Sequence, residues 1–147
     1  MRAGSLPAAC LALLSLLAPA GAVQPPALSV QDAWIRATPG VDVAAAYLTL
    51  HNGGTQVVVL RGVSSPEAAS AMLHETRIVN GQSTMRPHES LRIAPGETVR
   101  LAPGGLHIML SNLKRPLAAG DQVPLVLLLE GAGNLTVLAR VRPLDSD

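Results

Sequence analysis

The chain has 147 residues, a formal net charge of +1 and a hydrophobic fraction of 48%, with Trp34 and Tyr47 as its two large aromatic residues. Because acidic and basic residues nearly balance and no basic stripe alternates with aromatic residues, the composition argues against a nucleic-acid-binding protein. The length fits one domain after removal of a targeting segment. With so few aromatic residues, the core of that domain must consist of Leu, Val, Ile and Ala.

The N-terminal segment has the pattern of a secretory signal peptide. Arg2 supplies a basic start, residues 11–17 an apolar core, and residues 20–22 (AGA) a small-residue cleavage site. The apolar run is too short to favour a membrane span. We therefore predict a signal peptide over residues 1–22, a single mature domain over residues 23–147, and export of that domain from the cytoplasm.

Cys10 is the one cysteine of the chain and lies inside the predicted signal peptide. Residues 6–10 (LPAAC) loosely resemble a lipoprotein cleavage box, but they precede the apolar core instead of following it, so lipid anchoring is the less favoured alternative. A mature chain that begins after residue 22 contains no cysteine. Disulfides, thiolate zinc sites and a blue-copper centre, all of which need cysteine sulfur, are then excluded.

Short strands separated by Gly and Pro turns are predicted along the rest of the chain. They span residues 28–37, 43–51, 56–63, 71–77, 83–86, 91–93, 98–101, 106–110, 122–130 and 135–141. Residues 66–69 are compatible with a single helical turn, and the apolar segment 122–130 predicts a central strand buried on both faces. Many short strands without a long amphipathic helix favour an all-β sandwich or barrel.

The first of these strands does not alternate cleanly. Strict alternation places Leu28, Asp32 and Trp34 on one face and Ile35 on the other, so neither face is purely apolar. Trp34 is interpreted as a core anchor or a rim residue.

Asn80 and Gly81 are the strongest short-range hairpin signal in the chain. If they form the centre of a two-residue turn, His74 pairs with Pro87 and Met85 is its diagonal neighbour on the same face. Diagonal neighbours lie about 7–8 Å apart, within reach of long side chains. In this register His88 lies on the opposite face.

The strand at 106–110 carries a second pair of candidate metal ligands. His107 and Met109 are separated by one residue, so both point to one face, while Leu106, Ile108 and Leu110 point to the other. Imidazole is a borderline ligand and thioether a soft one, and soft sulfur ligands select Cu(I) over harder divalent ions. Each residue alone has an ordinary structural role, but His74, Met85, His107 and Met109 together indicate a copper site.

The spacing His-x10-Met-x21-His-x-Met, from His74 through Met85 and His107 to Met109, resembles the signature of the PCu(A)C periplasmic copper chaperones. Segments 32–36 (DAWIR), 46–48 (AYL), 104–110 (GGLHIML) and 116–117 (PL) also match family positions, so the resemblance covers most of the mature chain. It implies a cupredoxin-like Greek-key β-sandwich or barrel. It also implies a non-enzymatic carrier that holds one Cu(I) per chain.

The resemblance further implies an acceptor, the dinuclear copper centre of cytochrome c oxidase subunit II, in concert with a Sco-type thiol protein. Some family members carry a His- and Met-rich C-terminal extension for a second copper. This chain shows no such extension, so we expect a single site on a monomer without a membrane span.

Several alternatives remain open from the sequence. Met72 shares the face of His74 and is either a spare thioether or, more often for such a residue, part of the core. His88 is an auxiliary or outer ligand candidate, and His51 is interpreted as a solvated residue at a strand end. Copper storage or tolerance, and a metal-free secreted β-sandwich, are the alternative functions. A copper enzyme or electron carrier is disfavoured, because the mature chain lacks a cysteine and the site lacks a nearby base or nucleophile.

Overall fold

The computed structural model of the protein describes Gly4 and residues 27–145. The predicted cleavage site and Cys10 lie outside the described residues. All of the regular secondary structure among these residues is β-strand. The ten strands are β1 Leu28–Ala37, β2 Val43–Asn52, β3 Val58–Ser64, β4 Ala68–Val79, β5 Gln82–Pro87, β6 Leu91–Ile93, β7 Thr98–Leu101, β8 Leu106–Leu113, β9 Gln122–Leu129 and β10 Gly133–Arg142.

The strands are hydrogen-bonded in the order β5-β4-β8-β2-β1-β10-β9-β3-β6, and β7 pairs with the second half of β2. The β1–β10 pair is parallel and the other pairs are antiparallel, so the sheet is mixed. One hydrophobic cluster contains residues from β4 and β8 together with residues from β9, β3 and β6, which shows that the two halves of the sheet pack face to face. The predicted all-β class is confirmed.

One row of directly paired residues crosses five strands on the core side of the sheet. It consists of Leu73, Ile108, Ala46, Ile35 and Val141, on β4, β8, β2, β1 and β10. No member is more than 5% exposed. Because side chains alternate along each strand, the residues before and after these positions must point to the opposite, outer face.

The outer face of the same five strands carries three of the four predicted ligands, His74, His107 and Met109, and Met85 lies on the adjoining strand β5. Two neighbouring sets of paired residues lie on this face. The first is the row Met72, Met109, Ala45, Arg36 and Arg142, and the second comprises the pair His74 and His107 and the run Tyr47, Trp34 and Arg140. Each residue of the second set lies two positions along its strand from a residue of the first, so both sets face the same side of the sheet.

β1 contains a bulge that the sequence pattern concealed. The β1–β2 register shifts between Gln31 and Trp34, and Asp32 has a φ of 51°. The shift changes which residues face the core, because Leu28 is buried before the bulge and Ile35 after it. The strict alternation expected for this strand is therefore wrong, and Trp34 is a half-buried residue of the outer face.

Two local expectations are also wrong. Residues 66–69 do not form a helical turn, because the Ser65 hydroxyl accepts a hydrogen bond from Glu67 N–H (3.3 Å) and donates one to Pro124 O (2.8 Å), and Ala68 already begins β4. β9 is buried on one face only, since Val123, Leu125 and Leu127 are fully buried while the residues between them are half-buried. Packing against the opposite half of the sheet covers just that face.

Candidate metal centre

His74 and His107 are direct partners in the β4–β8 ladder. Their ring centroids are 5.9 Å apart, and the ring planes meet at 87°. Directly paired residues have the shortest separation available between strands. The ladder therefore brings together two imidazoles that are separated by 32 intervening residues in the sequence.

His107 is held in one orientation by the backbone. The residue is 3% exposed, and its Nδ1 lies 3.0 Å from the carbonyl oxygen of Gly105. A carbonyl can only accept, so Nδ1 carries the proton and donates. Nε2 is then left with a free lone pair, and it is buried without a hydrogen-bond partner among the described residues. Metal-binding histidines commonly show this arrangement, in which a carbonyl fixes the tautomer of the ligand.

His74 has the matching feature on the facing strand. Its Nδ1 is buried and lacks a hydrogen-bond partner within the described part of the chain. Burial, and next to it the neighbouring His107, lowers the pKa of His74 below its ordinary value of 6.5. A buried polar nitrogen without a partner is costly, and ligation would satisfy it. The two orphan nitrogens thus occur on residues that face one another.

Met85 reaches the same face from the hairpin. Asn80 and Gly81 have φ values of 51° and 77°, as a two-residue hairpin turn requires, and His74 pairs with Pro87. The predicted hairpin register is thereby confirmed. Met85 pairs with Thr76, two residues from His74, which makes it the diagonal neighbour of His74. Its side chain is 58% exposed.

Met109 and Met72 complete the group of thioethers. They are direct partners between β8 and β4, one step along the ladder from the two histidines. Met72 is 48% exposed, so the interpretation of Met72 as a core residue is wrong. The outer face therefore brings together all four predicted ligands and adds a third thioether. The sequence could place Met72 on the face of His74, but only the β4–β8 pairing places it opposite Met109.

The other two histidines of the chain have hydrogen-bond partners for their Nδ1 atoms, and His88 lines a cavity together with Met72. His51 Nδ1 is 2.9 Å from the hydroxyl of its cross-strand partner Thr98. His88 donates its backbone N–H to Leu73 O, and its Nδ1 lies 2.8 Å from Ser90 O, so its ring is engaged by the loop that follows β5. Across residues 27–145, no group of three or more His, Cys, Asp or Glu side chains is placed to hold a metal ion. The candidate centre thus combines two imidazoles with thioethers.

An aromatic and cationic patch adjoins the candidate centre on the outer face. The rings of Trp34 and Tyr47 have centroids 4.5 Å apart, and the guanidinium carbons of Arg142 and Arg36 lie 4.7 Å and 5.5 Å from the Trp34 ring centroid. No local sequence pattern predicts this cluster, because Tyr47 and Arg142 reach Trp34 through the pairing of β1 with β2 and with β10. Among the described residues there is no helix that could cross a membrane.

The comparison with known protein families identifies the chain's relatives. A family model described as "Putative lipoprotein LpqE-like" matches residues 28–141, which is nearly all of the described domain. The chain belongs to the LpqE-like family. A curated relative of this LpqE-like protein, "Putative lipoprotein Lxx21020" of Leifsonia xyli subsp. xyli, is 38% identical over 101 residues. That alignment covers 68% of the LpqE-like chain and 60% of the relative, so the chain spans less than two thirds of the relative's length.

Solved structures of PCuAC domains share the fold of the LpqE-like protein. The solution structure of CuI-DR1885 from Deinococcus radiodurans is 35% identical, with 84% of this chain and 83% of that chain covered and a TM-score of 0.66. The copper-bound PCuAC domain from PmoF2 is 25% identical, with 79% and 92% covered and a TM-score of 0.66. The resemblance to the PCu(A)C proteins is thereby confirmed, as is the cupredoxin-like β-sandwich fold.

Proposed function

We propose that this LpqE-like protein is a Cu(I) carrier that binds one copper ion through His74, Met85, His107 and Met109. The observation that supports this most directly is the facing pair of histidines, each with a buried nitrogen that lacks a hydrogen-bond partner in the part of the chain that the structure describes. Thioethers lie beside that pair on the same outer face. The similarity to the copper-bound PCuAC domains supports copper as the ion.

The arrangement suits carriage better than catalysis. His107 is 3% exposed and His74 is half-buried, whereas Met85 is 58% exposed and lies on the edge strand β5. The buried nitrogens would retain the ion while the exposed thioether is exchanged for a ligand of an acceptor. Neutral thioethers and imidazoles suit a monovalent ion, and thioethers need no deprotonation before they bind. The protein accordingly acts as a carrier, not as an enzyme.

The cell envelope is the proposed site of action. The family description is that of a lipoprotein, and the sequence predicts an N-terminal export segment. In the periplasm, methionine and histidine would bind Cu(I) without the disulfide formation to which paired thiolates are exposed. The proposed acceptor is the copper centre of cytochrome c oxidase subunit II.

Competitive Cu(I) titration under anaerobic conditions tests the ligand set. The mature protein is titrated against a chromophoric Cu(I) chelator beside the double variant Met85→Leu/Met109→Leu, which keeps side-chain volume but removes both sulfurs. We expect one equivalent of tight binding that the double variant loses. A matched control, Leu138→Ala/Leu144→Ala, alters two exposed aliphatic residues outside the site and keeps full binding.

Absence of binding leaves a metal-free secreted β-sandwich, and binding whose affinity is unchanged by removal of both sulfurs contradicts the proposed site. Transfer to a soluble subunit II fragment then separates delivery from storage. A loaded protein that passes its copper to the fragment is a chaperone. A protein that binds copper tightly and retains it in the presence of the fragment is a storage or tolerance protein.

A further inference from the structure

The outer face extends from the candidate copper ligands into a cationic patch. Arg36 and Arg142 belong to the same row of paired residues as Met109, and Arg140 pairs with Trp34 in the neighbouring set. Adjacent strands lie about 4.8 Å apart, so Arg36, two strands from Met109, is about 10 Å away from it. Ala45 is the residue between them in that row. A small side chain there leaves no barrier between the ligands and the arginines.

The three arginines have no carboxylate partner in the described part of the chain. The ion pairs there join Arg61, Arg77 and Arg115 to glutamate or aspartate and include none of the patch residues; their carboxylates are Glu130, Glu75, Glu67 and Asp121. Arg36 Nε is, in addition, buried without a hydrogen-bond partner among residues 27–145. Asp32 lies near Trp34, in a shallow cavity that Arg100 also lines. The patch is therefore a local excess of positive charge.

This excess is a local feature and not a reflection of the whole chain. Without Arg2 of the predicted signal peptide, the eleven basic residues become ten and balance the ten acidic ones. Within this neutral total, Arg36 and Arg142 stack against Trp34, at 5.5 Å and 4.7 Å from its ring centroid. Stacking restricts long side chains that would otherwise lose conformational freedom on binding. The patch thus presents guanidinium groups that are already positioned for a planar anionic partner.

We infer that Arg36, Arg140 and Arg142, which surround Trp34 on the outer face, dock a carboxylate-rich surface of the protein that exchanges copper with this chain. This inference rests on the proposed carrier function. A standard protein interface covers about 800 Å² per partner, a patch about 30 Å across, so a partner centred on Met109 also covers these arginines. Guanidinium and carboxylate groups form paired, charge-assisted hydrogen bonds, which set the orientation of the two proteins.

An acidic protein is favoured over an anionic membrane surface. The exposed thioethers of Met72 and Met85 lie on the same face as the arginines. A membrane that covered the arginines would also cover these thioethers and block the exchange of ligands. A protein partner, in contrast, must cover both regions at once in order to bring its own copper ligands to Met85 and Met109.

Trp34 is the single tryptophan of the chain, so its fluorescence reports directly on the patch. The copper-free protein is titrated with a synthetic peptide that carries six glutamates, and with a control peptide that carries glutamines in their place. The peptides contain no tryptophan. We expect saturable changes in Trp34 emission with the glutamate peptide, suppressed by salt, and little change with the glutamine peptide. This measurement needs no copper, so it remains informative if the copper site itself is wrong.

Arg140→Gln and Arg142→Gln are compared with Arg92→Gln, which removes the same charge from an exposed residue of β6 at the far end of the strand order. Each patch variant weakens peptide binding about two- to fivefold, the range of an exposed ion pair, while Arg92→Gln leaves it unchanged. Affinity for Cu(I), measured by chelator competition, stays the same in all three variants.

Equal effects of Arg92→Gln and the patch variants, or no saturable response to the glutamate peptide, overturn the inference. Vesicles of phosphatidylglycerol provide the remaining comparison. If the protein binds these vesicles through Arg140 and Arg142 but does not bind the glutamate peptide, the patch is a membrane contact and the proposed partner is wrong. If the unmodified protein does not bind Cu(I), the proposed function is wrong, but the peptide result can still be interpreted.

Discussion

Met72 stands directly opposite Met109 in the β4–β8 ladder, on the face that also carries the paired histidines. The outer face therefore presents three thioethers beside two imidazoles, one more sulfur than the proposed ligand set uses. Met72 is the direct cross-strand partner of Met109, whereas Met85 lies on β5 and is a diagonal neighbour of His74. A third thioether offers a substitute ligand while another is being exchanged.

Removal of the Met72 thioether is expected to lower the affinity for Cu(I) most when the Met85 thioether is also missing. Met72→Leu alone keeps one equivalent of Cu(I) and weakens binding only slightly, because the proposed ligand set is intact. In Met72→Leu/Met85→Leu the loss of Cu(I)-binding free energy exceeds the sum of the losses in the two single variants by about 1 kcal/mol or more. Such coupling is expected of two groups that can replace one another. Chelator competition on the four proteins of this cycle measures the coupling. Additive losses contradict a substitute role for Met72.

The tautomer of His107 gives a prediction that can be tested without copper. The Gly105 carbonyl fixes a proton on Nδ1, so in the neutral imidazole Nε2 is the unprotonated nitrogen. Long-range proton–nitrogen NMR spectra of the imidazole distinguish the two nitrogens, and addition of Cu(I) shifts the Nε2 resonance. His51, whose Nδ1 bonds to Thr98, is the internal control that does not shift. A proton on Nε2 of His107 contradicts the proposed ligand atom.

Copper binding is expected to persist below the pH at which a free histidine begins to protonate. Burial, followed by the proximity of His107, lowers the pKa of His74 below 6.5 in the folded protein. The neutral, binding form of His74 therefore survives below pH 6.5, and protons compete with Cu(I) only as the pH falls through the lowered pKa. Affinity measured from pH 7.5 to pH 4 stays level at first and then declines. Affinity that is level over the whole range argues against imidazole ligation.

The same lowered pKa makes the copper-free protein sensitive to acid. The unfolded chain takes up a proton at His74 below about pH 6.5, whereas the folded chain resists it, so the contribution to stability is present above that pH and is lost as the pH falls through the folded-state pKa. His74→Gln removes this contribution and flattens the profile. Thermal unfolding of both proteins between pH 7.5 and pH 4.5 tests the difference. A parallel decline in the two proteins shows that other groups are responsible.

Substitution of Gly81 is expected to lower the stability of the fold, whereas substitution of Asn80 by glycine leaves it nearly unchanged. Gly81 has a φ of 77°, where a residue with a Cβ costs about 1–2 kcal/mol, so Gly81→Ala destabilises the fold. Asn80→Gly at φ 51° removes such a strain and is close to neutral. No atom of the described residues lies within 4 Å of the position that a Cβ at Gly81 would occupy, so the cost is one of backbone conformation and not of crowding. Urea unfolding of the two variants tests this contrast, and equal stabilities contradict it.

Local chemistry made the hairpin and the ligand strand predictable. The positive φ that Asn80 and Gly81 adopt readily fixes the turn, the turn fixes the register, and the register places Met85 beside His74. The alternation of a strand likewise assigns His107 and Met109 to one face without any knowledge of the fold. These predictions needed contacts only between residues close in sequence.

The remaining features depend on contacts that no local pattern encodes. The pairing of Met72 with Met109 spans 36 intervening residues, and that of Arg36 with Arg142 spans 105. Such pairs are selected by burial of the opposite face, where Ile108 and Ile35 are fully enclosed. The bulge at Asp32 was missed for a related reason, since the residue was read within a regular strand and its φ of 51° is imposed by the fold.

Ile108 lies between His107 and Met109 and is completely buried in the row of core residues that crosses five strands. A strand anchored in this way has little freedom to move, so under the proposed function we expect the loaded and empty proteins to share one backbone shape. An acceptor could then tell them apart only by the copper ion itself. We therefore expect the empty protein to compete with the loaded one for the same docking surface, and copper delivery to show product inhibition as spent carrier accumulates.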